Sequence, residues 1–211
     1  MALDEPDGLL AAGGDLSTAR LLAAYQRGIF PWYSEGQPIL WWSPDPRMIL
    51  VPSQFHTSRS LARCRRRGDW RFSINTAFAQ VIDACAAPRD GQDGTWITAE
   101  MRAAYLRLHA QGWAHSLEVW QDDNIAGGIY GLAIDRCFFG ESMFHCVSNA
   151  SKLALAALCE RLAADEFVLL DCQMHTAHLA TLGAQLMPRA AFAAQLEQYC
   201  KRLKPWQPAP I

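Results

Sequence analysis

Two apolar runs that end in polar side chains constrain this chain more than any other feature. The first runs from Gly131 through Cys137, Phe138, Phe139, Gly140, Glu141, Ser142 and Met143 to Phe144, and the second is Leu169-Leu170-Asp171-Cys172-Gln173. Both read as strands of a buried sheet, whose packing has no use for Glu141, Asp171 or Gln173. Burying such groups without partners costs about 2 to 7 kcal/mol each. The fold must therefore bring strand ends to a polar site. Asp171 and Gln173 are two residues apart, so an extended backbone turns them to one face, where the carboxylate can orient the amide or both can meet one cationic ligand. Glu141, between Gly140 and Ser142, puts a carboxylate, a hydroxyl and backbone amides at one strand end. It belongs either to a site or to an ion pair with a buried arginine. Cys172, between two polar neighbours, is expected to face the other way, into the core.

The chain has 211 residues, 51% of them hydrophobic and 19% charged, with a net charge of -2. That is a folded protein with one substantial core, or a core plus a small satellite, and it excludes a uniformly basic nucleic-acid coat. No apolar run approaches the roughly 18 residues of a membrane span, and the start, Met1 to Asp7, is acidic where an export signal is basic. A cytoplasmic protein is expected. The seven cysteines are scattered, without a Cys-x-x-Cys or Cys/His zinc spacing, and read as reduced thiols.

The pattern predicts a helix over 17–27, capped by Ser17 or Asp15 and stopped by Gly28. The prolines at 44 and 46 mark a soft boundary, giving expected domains 1–45 and 46–211. The second part alternates between strands and helices. Strands are predicted at 48–51, 115–120, 125–134, 137–142 and 167–171, and helices at 75–87, 98–110, from Asn149 or Ser151 through Leu162, near His178, and at 190–202. An antiparallel hairpin followed by strand, helix, strand and helix makes a mixed α/β or α+β sheet.

Arg59, Arg63, Arg65, Arg66, Arg67 and Arg71 face only Asp69 within residues 56–72, a local charge of +5. The run is either a solvated helix face or a grip on phosphates, which guanidinium groups hold bidentately. Eight tryptophans are a heavy load. Trp41 and Trp42 suit a staple between the two parts, whereas Trp32 and Trp96 are open to packing or to stacking a nucleobase. Gly-x-Gly-x-x-Gly is absent, as is the glycine turn by which acetyltransferases hold coenzyme A, so that donor is not expected.

Several segments in order closely resemble the bacterial leucyl/phenylalanyl-tRNA protein transferases: Asp7 to Ser17, Ala24 to Trp32, Trp41 to Arg47, Gly94 to Thr98, Gly140 to Phe144 and Asp171 to Gln173. The resemblance spans nearly the whole chain. It implies an α+β protein, with a small N-terminal domain joined to a mixed-sheet domain of acetyltransferase-like (GNAT-type) fold. It further implies an enzyme that moves Leu or Phe, less readily Met, from aminoacyl-tRNA to the N-terminal Arg or Lys of a protein, creating an N-end-rule degradation signal. No metal, cofactor or membrane is implied, and a monomer is expected. By the same resemblance Gln173, oriented by Asp171, lies at the reacting centre, Asp171 also being able to meet the acceptor's cationic side chain, and Glu141 holds the acceptor amine or the aminoacyl-adenosine. Trp32, Trp96 and Phe138, with Gly140 and Ser142, are expected around the adenosine, and Ile129, Met143, Leu158 and Leu170 around the aminoacyl side chain. Arg59, Arg63, Arg65, Arg66 and Arg67 are expected on the tRNA. A coenzyme A-dependent N-acyltransferase and a non-catalytic RNA-binding module are the competing readings; the first would acylate without tRNA, and the second would bind tRNA without product.

Overall fold

A computed structural model describes residues 2–3, 5–88 and 95–211, so Met1, Asp4 and Gly94, quoted above, lie outside the described residues. In chain order the elements are β1 (Leu9–Ala12), α1 (Thr18–Tyr25), β2 (Phe30–Pro31), β3 (Leu40–Trp42), β4 (Arg47–Leu50), α2 (Arg59–Arg67), β5 (Trp70–Ile74), α3 (Phe78–Ala86), α4 (Ala99–Ala110), β6 (Ala114–Gln121), β7 (Asn124–Ile134), β8 (Cys137–His145), α5 (Ala150–Ala164), β9 (Leu169–Gln173), α6 (Ala177–Thr181), β10 (Gln185–Met187) and α7 (Arg189–Tyr199). The expected mixture of helices and sheet is present.

The strands form two sheets. A small one has the order β1-β3-β2, and a seven-stranded one has the order β10-β4-β9-β8-β7-β6-β5. Every pairing is antiparallel except β8 with β9, which α5 connects as a crossover.

Alternation along the large sheet divides the core in two. Leu132, Ile134, Phe139, Leu169 and Ile49 belong to one apolar cluster, and their neighbours Ala133, Phe138, Leu170, Met48 and Leu50 to the other. Successive side chains of a strand point to opposite faces, so each cluster is one face of the sheet. Leu21 and Tyr25 of α1, Val81 of α3, Tyr105 of α4 and Phe192 of α7 cover the first face; Leu61 of α2 and Leu153 to Leu162 of α5 cover the second. Each large side chain so buried contributes about 1.5 to 3 kcal/mol.

Local chemistry sets most boundaries. Ser17 accepts from Arg20 N–H at the start of α1, while Asp15 accepts from Ser17 N–H, and Gly28 with φ +70° follows the helix. Thr98 caps α4 by accepting from Met101 N–H at 3.2 Å. The helix predicted from Asn75 begins three residues later, at Phe78. Asn75 adopts φ 60° and ties its side chain to Ser116 N–H, and the buried Glu118 of β6 accepts from Thr76 and Ala77 N–H, capping α3 from a distant strand.

Candidate active site

The β8/β9 ladder pairs Cys137 with Leu169, Phe138 with Leu170 and Phe139 with Asp171, and stops there although both strands run on. Each strand then carries an extra residue. Tyr130 and Gly131 of β7 oppose Ser142 and Gly140, leaving Glu141 as the bulge of β8, and Met48 and Ile49 of β4 oppose Gln173 and Asp171, leaving Cys172 as the bulge of β9. Bulges bend strands and re-aim side chains. Glycine is required at 131, where a Cβ would lie 2.1 Å from the Phe139 carbonyl oxygen.

Between the parting strands lies a cavity of about 120 Å³, walled by Ile129, Gly140, Ser142, Met143, Leu155, Leu170 and Leu179, with Glu141, Cys172 and Gln173 on its polar side. The same Glu141, Cys172, Gln173 and Leu179 line a second cavity of about 250 Å³ with Phe30, Trp32, Trp96 and Met174. Trp32 and Trp96 pass on to a groove of about 910 Å³ that also holds Tyr33, Glu35 and Trp42. Trp32 is 39% exposed and is held by its neighbour: the indoles of Trp32 and Trp42 meet edge to face at 5.6 Å, and Trp42 Nε1 donates to the Trp32 carbonyl. A small apolar pocket thus opens through a polar neck onto an aromatic groove.

The polar neck is an organised network. Tyr25 Oη donates to Glu141 Oε1 at 2.6 Å, and Tyr105 Oη to Oε2 at 2.8 Å, the two phenol oxygens lying against each other. Burial pushes the Glu141 carboxyl up to about 7; the two phenol bonds and Arg47 oppose that rise, and the Asp171 charge adds to it. Burial and the Glu141 charge hold the Tyr25 and Tyr105 phenols well above their ordinary value, so both are donors at neutral pH. Gln173 Nε2 reaches Glu141 Oε1 at 3.4 Å.

Asp171 is wholly buried and paired with Arg47, Nε to Oδ1 at 2.8 Å and Nη2 to Oδ2 at 2.7 Å. Its Oδ1 also accepts the backbone N–H of Gln173 at 2.9 Å. These contacts correct two expectations. Asp171 orients Gln173 through the main chain rather than through the side-chain amide, and both its oxygens are engaged, so it is not placed to receive an acceptor's cationic side chain. Burial pushes the Cys172 thiol well up. As expected, this residue faces away from Asp171 and packs with Leu170 against the second core cluster, where it also lines both cavities as a protonated wall.

Of the residues expected at the site, Trp32, Trp96, Ile129, Gly140, Glu141, Ser142, Met143, Leu170 and Gln173 line these cavities. Phe138 and Leu158 do not. Phe138 is 1% exposed and fills the space that Gly131 leaves, against Trp206. Leu158 lies in the core one turn beyond Leu155, and Leu155 is the α5 residue that reaches the cavity. The arginine run forms α2, whose Arg59, Arg63, Arg66 and Arg67 are exposed, while Arg65 is bound to Glu160 and lies over the Phe72 ring. Sequence reasoning missed Tyr25, Tyr105 and Arg47. The first two were hidden as apolar-stripe and helix residues; the signal for Arg47 is a guanidinium heading the otherwise apolar Arg47-Met48-Ile49-Leu50. Among the described residues no group of three or more His, Cys, Asp or Glu is placed to hold a metal ion, and no helix is long and apolar enough to cross a membrane.

Comparison with known proteins is decisive. The family profile of leucyl/phenylalanyl-tRNA protein transferase matches residues 49–197, and that of its N-terminal domain matches 14–45. The chain belongs to this family. Proteins named leucyl/phenylalanyl-tRNA--protein transferase are similar to it at 57% identity in Stutzerimonas stutzeri (95% of this chain, 89% of that one), 58% in Pseudomonas paraeruginosa (94% and 88%) and 59% in Aromatoleum aromaticum (94% and 84%). It is accordingly an enzyme, an aminoacyltransferase. A C-terminal DUF2156 domain from Agrobacterium fabrum superposes with a TM-score of 0.49 at 12% identity over 87% of this chain and 69% of that one, a likeness too slight to bear on the fold. Within the transferase family match, the small cavity comes wholly from the C-terminal segment, whereas Phe30 and Trp32 reach the neighbouring cavity from the N-terminal one.

Proposed function

We propose that this transferase moves a leucyl or phenylalanyl group, and less readily a methionyl group, from aminoacyl-tRNA to the N-terminal Arg or Lys of an acceptor protein, marking it for degradation by the N-end rule. One observation carries the reading: the apolar pocket between β8 and β9 opens through Glu141 and Gln173 onto a tryptophan-lined groove. A side chain unbranched at Cβ suits the pocket, the terminal adenosine suits Trp32 and Trp96, and the ester between them falls beside Glu141 and Gln173. The exposed arginines of α2 suit the tRNA backbone.

The donor is an activated ester, so holding the two reactants together can supply up to about 7 to 11 kcal/mol of the barrier. The acceptor α-amine has an ordinary pKa of about 7.7 to 8.0. Glu141, pushed to about 7, is matched to take a proton from it. In its neutral form the nitrogen attacks the ester carbonyl; as the C–N bond forms Glu141 takes the nitrogen's surplus proton, and as the C–O bond to the ribose breaks the departing oxygen receives that proton from Glu141. Gln173 is too weak a base for that transfer and serves by hydrogen bonding. The chemistry calls for no metal or cofactor.

We assign the large sheet to the acetyltransferase-like class, on the support of its antiparallel β5-β6-β7-β8 run, the α5 crossover and the opening between β8 and β9. The change of sheet between Trp42 and Arg47 supports domains 1–45 and 46–211, and the enzyme is assigned to the cytoplasm as a monomer. The test is transfer of labelled Leu from tRNA to peptides beginning with Arg or Ala. Labelling of the Arg peptide alone is expected; labelling of neither, or of both alike, would overturn the assignment.

A further inference from the structure

We propose that Arg47 is a positioning residue for the transfer reaction, acting through Asp171 to hold Gln173 in the conformation that presents its amide to Glu141. The inference rests on the reading of the β8/β9 cavity as the transfer site.

Gln173 adopts φ 60°, a left-handed conformation that costs a residue bearing a side chain about 1 to 3 kcal/mol and persists only when its surroundings impose it. The imposing contact is visible. Asp171 Oδ1 accepts the Gln173 N–H at 2.9 Å, and Arg47 fixes that carboxylate with two hydrogen bonds of 2.8 and 2.7 Å. Bidentate pairing sets the plane of the carboxylate as well as its place. The guanidinium is itself fixed, its carbon 4.8 Å from the ring centres of both Phe30 in the small sheet and Phe192 in α7. A chain of contacts therefore runs from the N-terminal sheet and the last helix, through Arg47 and Asp171, to the main chain of Gln173.

Stability does not account for this arrangement. The side chains of the pair are 1% and 0% exposed, and Arg47 Nη1 is buried with no hydrogen-bond partner among the described residues. Replacing a buried ion pair by apolar residues of similar volume is often neutral or stabilising. What an apolar pair cannot supply is an acceptor for the Gln173 N–H.

The experiment follows from that difference. In the full-length enzyme, Arg47→Met/Asp171→Leu is expected to melt at or above the wild-type temperature. Its kcat for leucyl transfer should nonetheless fall by about ten- to a hundredfold, with KM for leucyl-tRNA within about twofold, because misplacing a reacting group costs that much. Arg47→Lys keeps the charge and the fold but loses the bidentate geometry. It should show a smaller loss of kcat at unchanged KM, together with faster hydrogen exchange at the Gln173 amide, and it decides the matter if the double variant does not fold. Wild-type kcat in these variants would overturn the role. Full transfer by Gln173→Ala would instead overturn the reading of the site, and the role with it.

Discussion

At the scale of single residues, the candidate site holds a carboxylate whose proton affinity the protein has raised. Glu141 is pushed to about 7 chiefly by burial, and the phenols of Tyr25 and Tyr105 restrain the rise by donating to its ionised form. The rate should therefore rise with pH along an acidic limb with an apparent midpoint near this value. Removing one donor in Tyr25→Phe disfavours the carboxylate, and a lost hydrogen bond to a charged group amounts to about one pKa unit or more. The limb should move to higher pH, with the plateau rate far less affected. A pH series of single-turnover transfer rates measures this; an unmoved limb would take the titration away from Glu141.

At the scale of elements, α2 is the proposed contact with nucleic acid. Its Ser58 cap, its lone buried Leu61 and its basic last turn make a helix that presents Arg59, Arg63, Arg66 and Arg67 to solvent, with Arg65 spoken for by Glu160. Changing Arg63, Arg66 and Arg67 together to Glu should weaken binding of uncharged tRNA and flatten its log-log salt dependence by about 0.7 to 0.9 for each phosphate no longer neutralised. Titrations at several salt concentrations would show it, and an unchanged slope would make α2 a solvated face. The elements also show what a sequence exposes. The β6–β7–β8 meander and α5 were legible because Leu132, Ile134, Phe139 and Leu153 repeat at strand and helix periods over long spans. The strands β1, β2, β3 and β10 have two to four residues each and owe their existence to partners, so no periodicity announced them. Glu141, Asp171 and Gln173 stood out as polar breaks in apolar runs. The bulges at Glu141 and Cys172 arise from pairing with β7 and β4 and were not legible.

At the scale of the whole molecule, pH should act on stability through a residue outside the neck. His115 is buried beside Trp206; its Nε2 lies 3.0 Å from the Gly112 carbonyl oxygen and its Nδ1 3.0 Å from Asn75 Nδ2, which suits the neutral ring donating to the first and accepting from the second. Burial lowers its pKa to about 4 from the ordinary 6.5. Between those values the unfolded chain binds the proton and the folded one does not, so stability falls as pH drops from about 6.5 to 4, by a total on the order of 3 kcal/mol. Glu141 works in the opposite sense, its native state binding the proton more tightly up to about 7. Urea unfolding at pH 7, 5.5 and 4.5 should show a steeper acid loss in Glu141→Gln than in wild type, because the opposing Glu141 contribution is gone; identical pH dependence would contradict this assignment.

The central claim is that aminoacyl transfer takes place where Glu141 and Gln173 separate the apolar pocket from the tryptophan groove. Its most direct test is the single-turnover rate of labelled Leu transfer from saturating leucyl-tRNA to an Arg-initiated peptide, measured for Gln173→Ala beside the wild type, with binding of uncharged tRNA as the control. The rate should be lower by about a hundredfold, the scale of losing a positioned hydrogen-bonding group at a reacting centre, with tRNA binding unchanged. A variant that transfers Leu at the wild-type rate would contradict it.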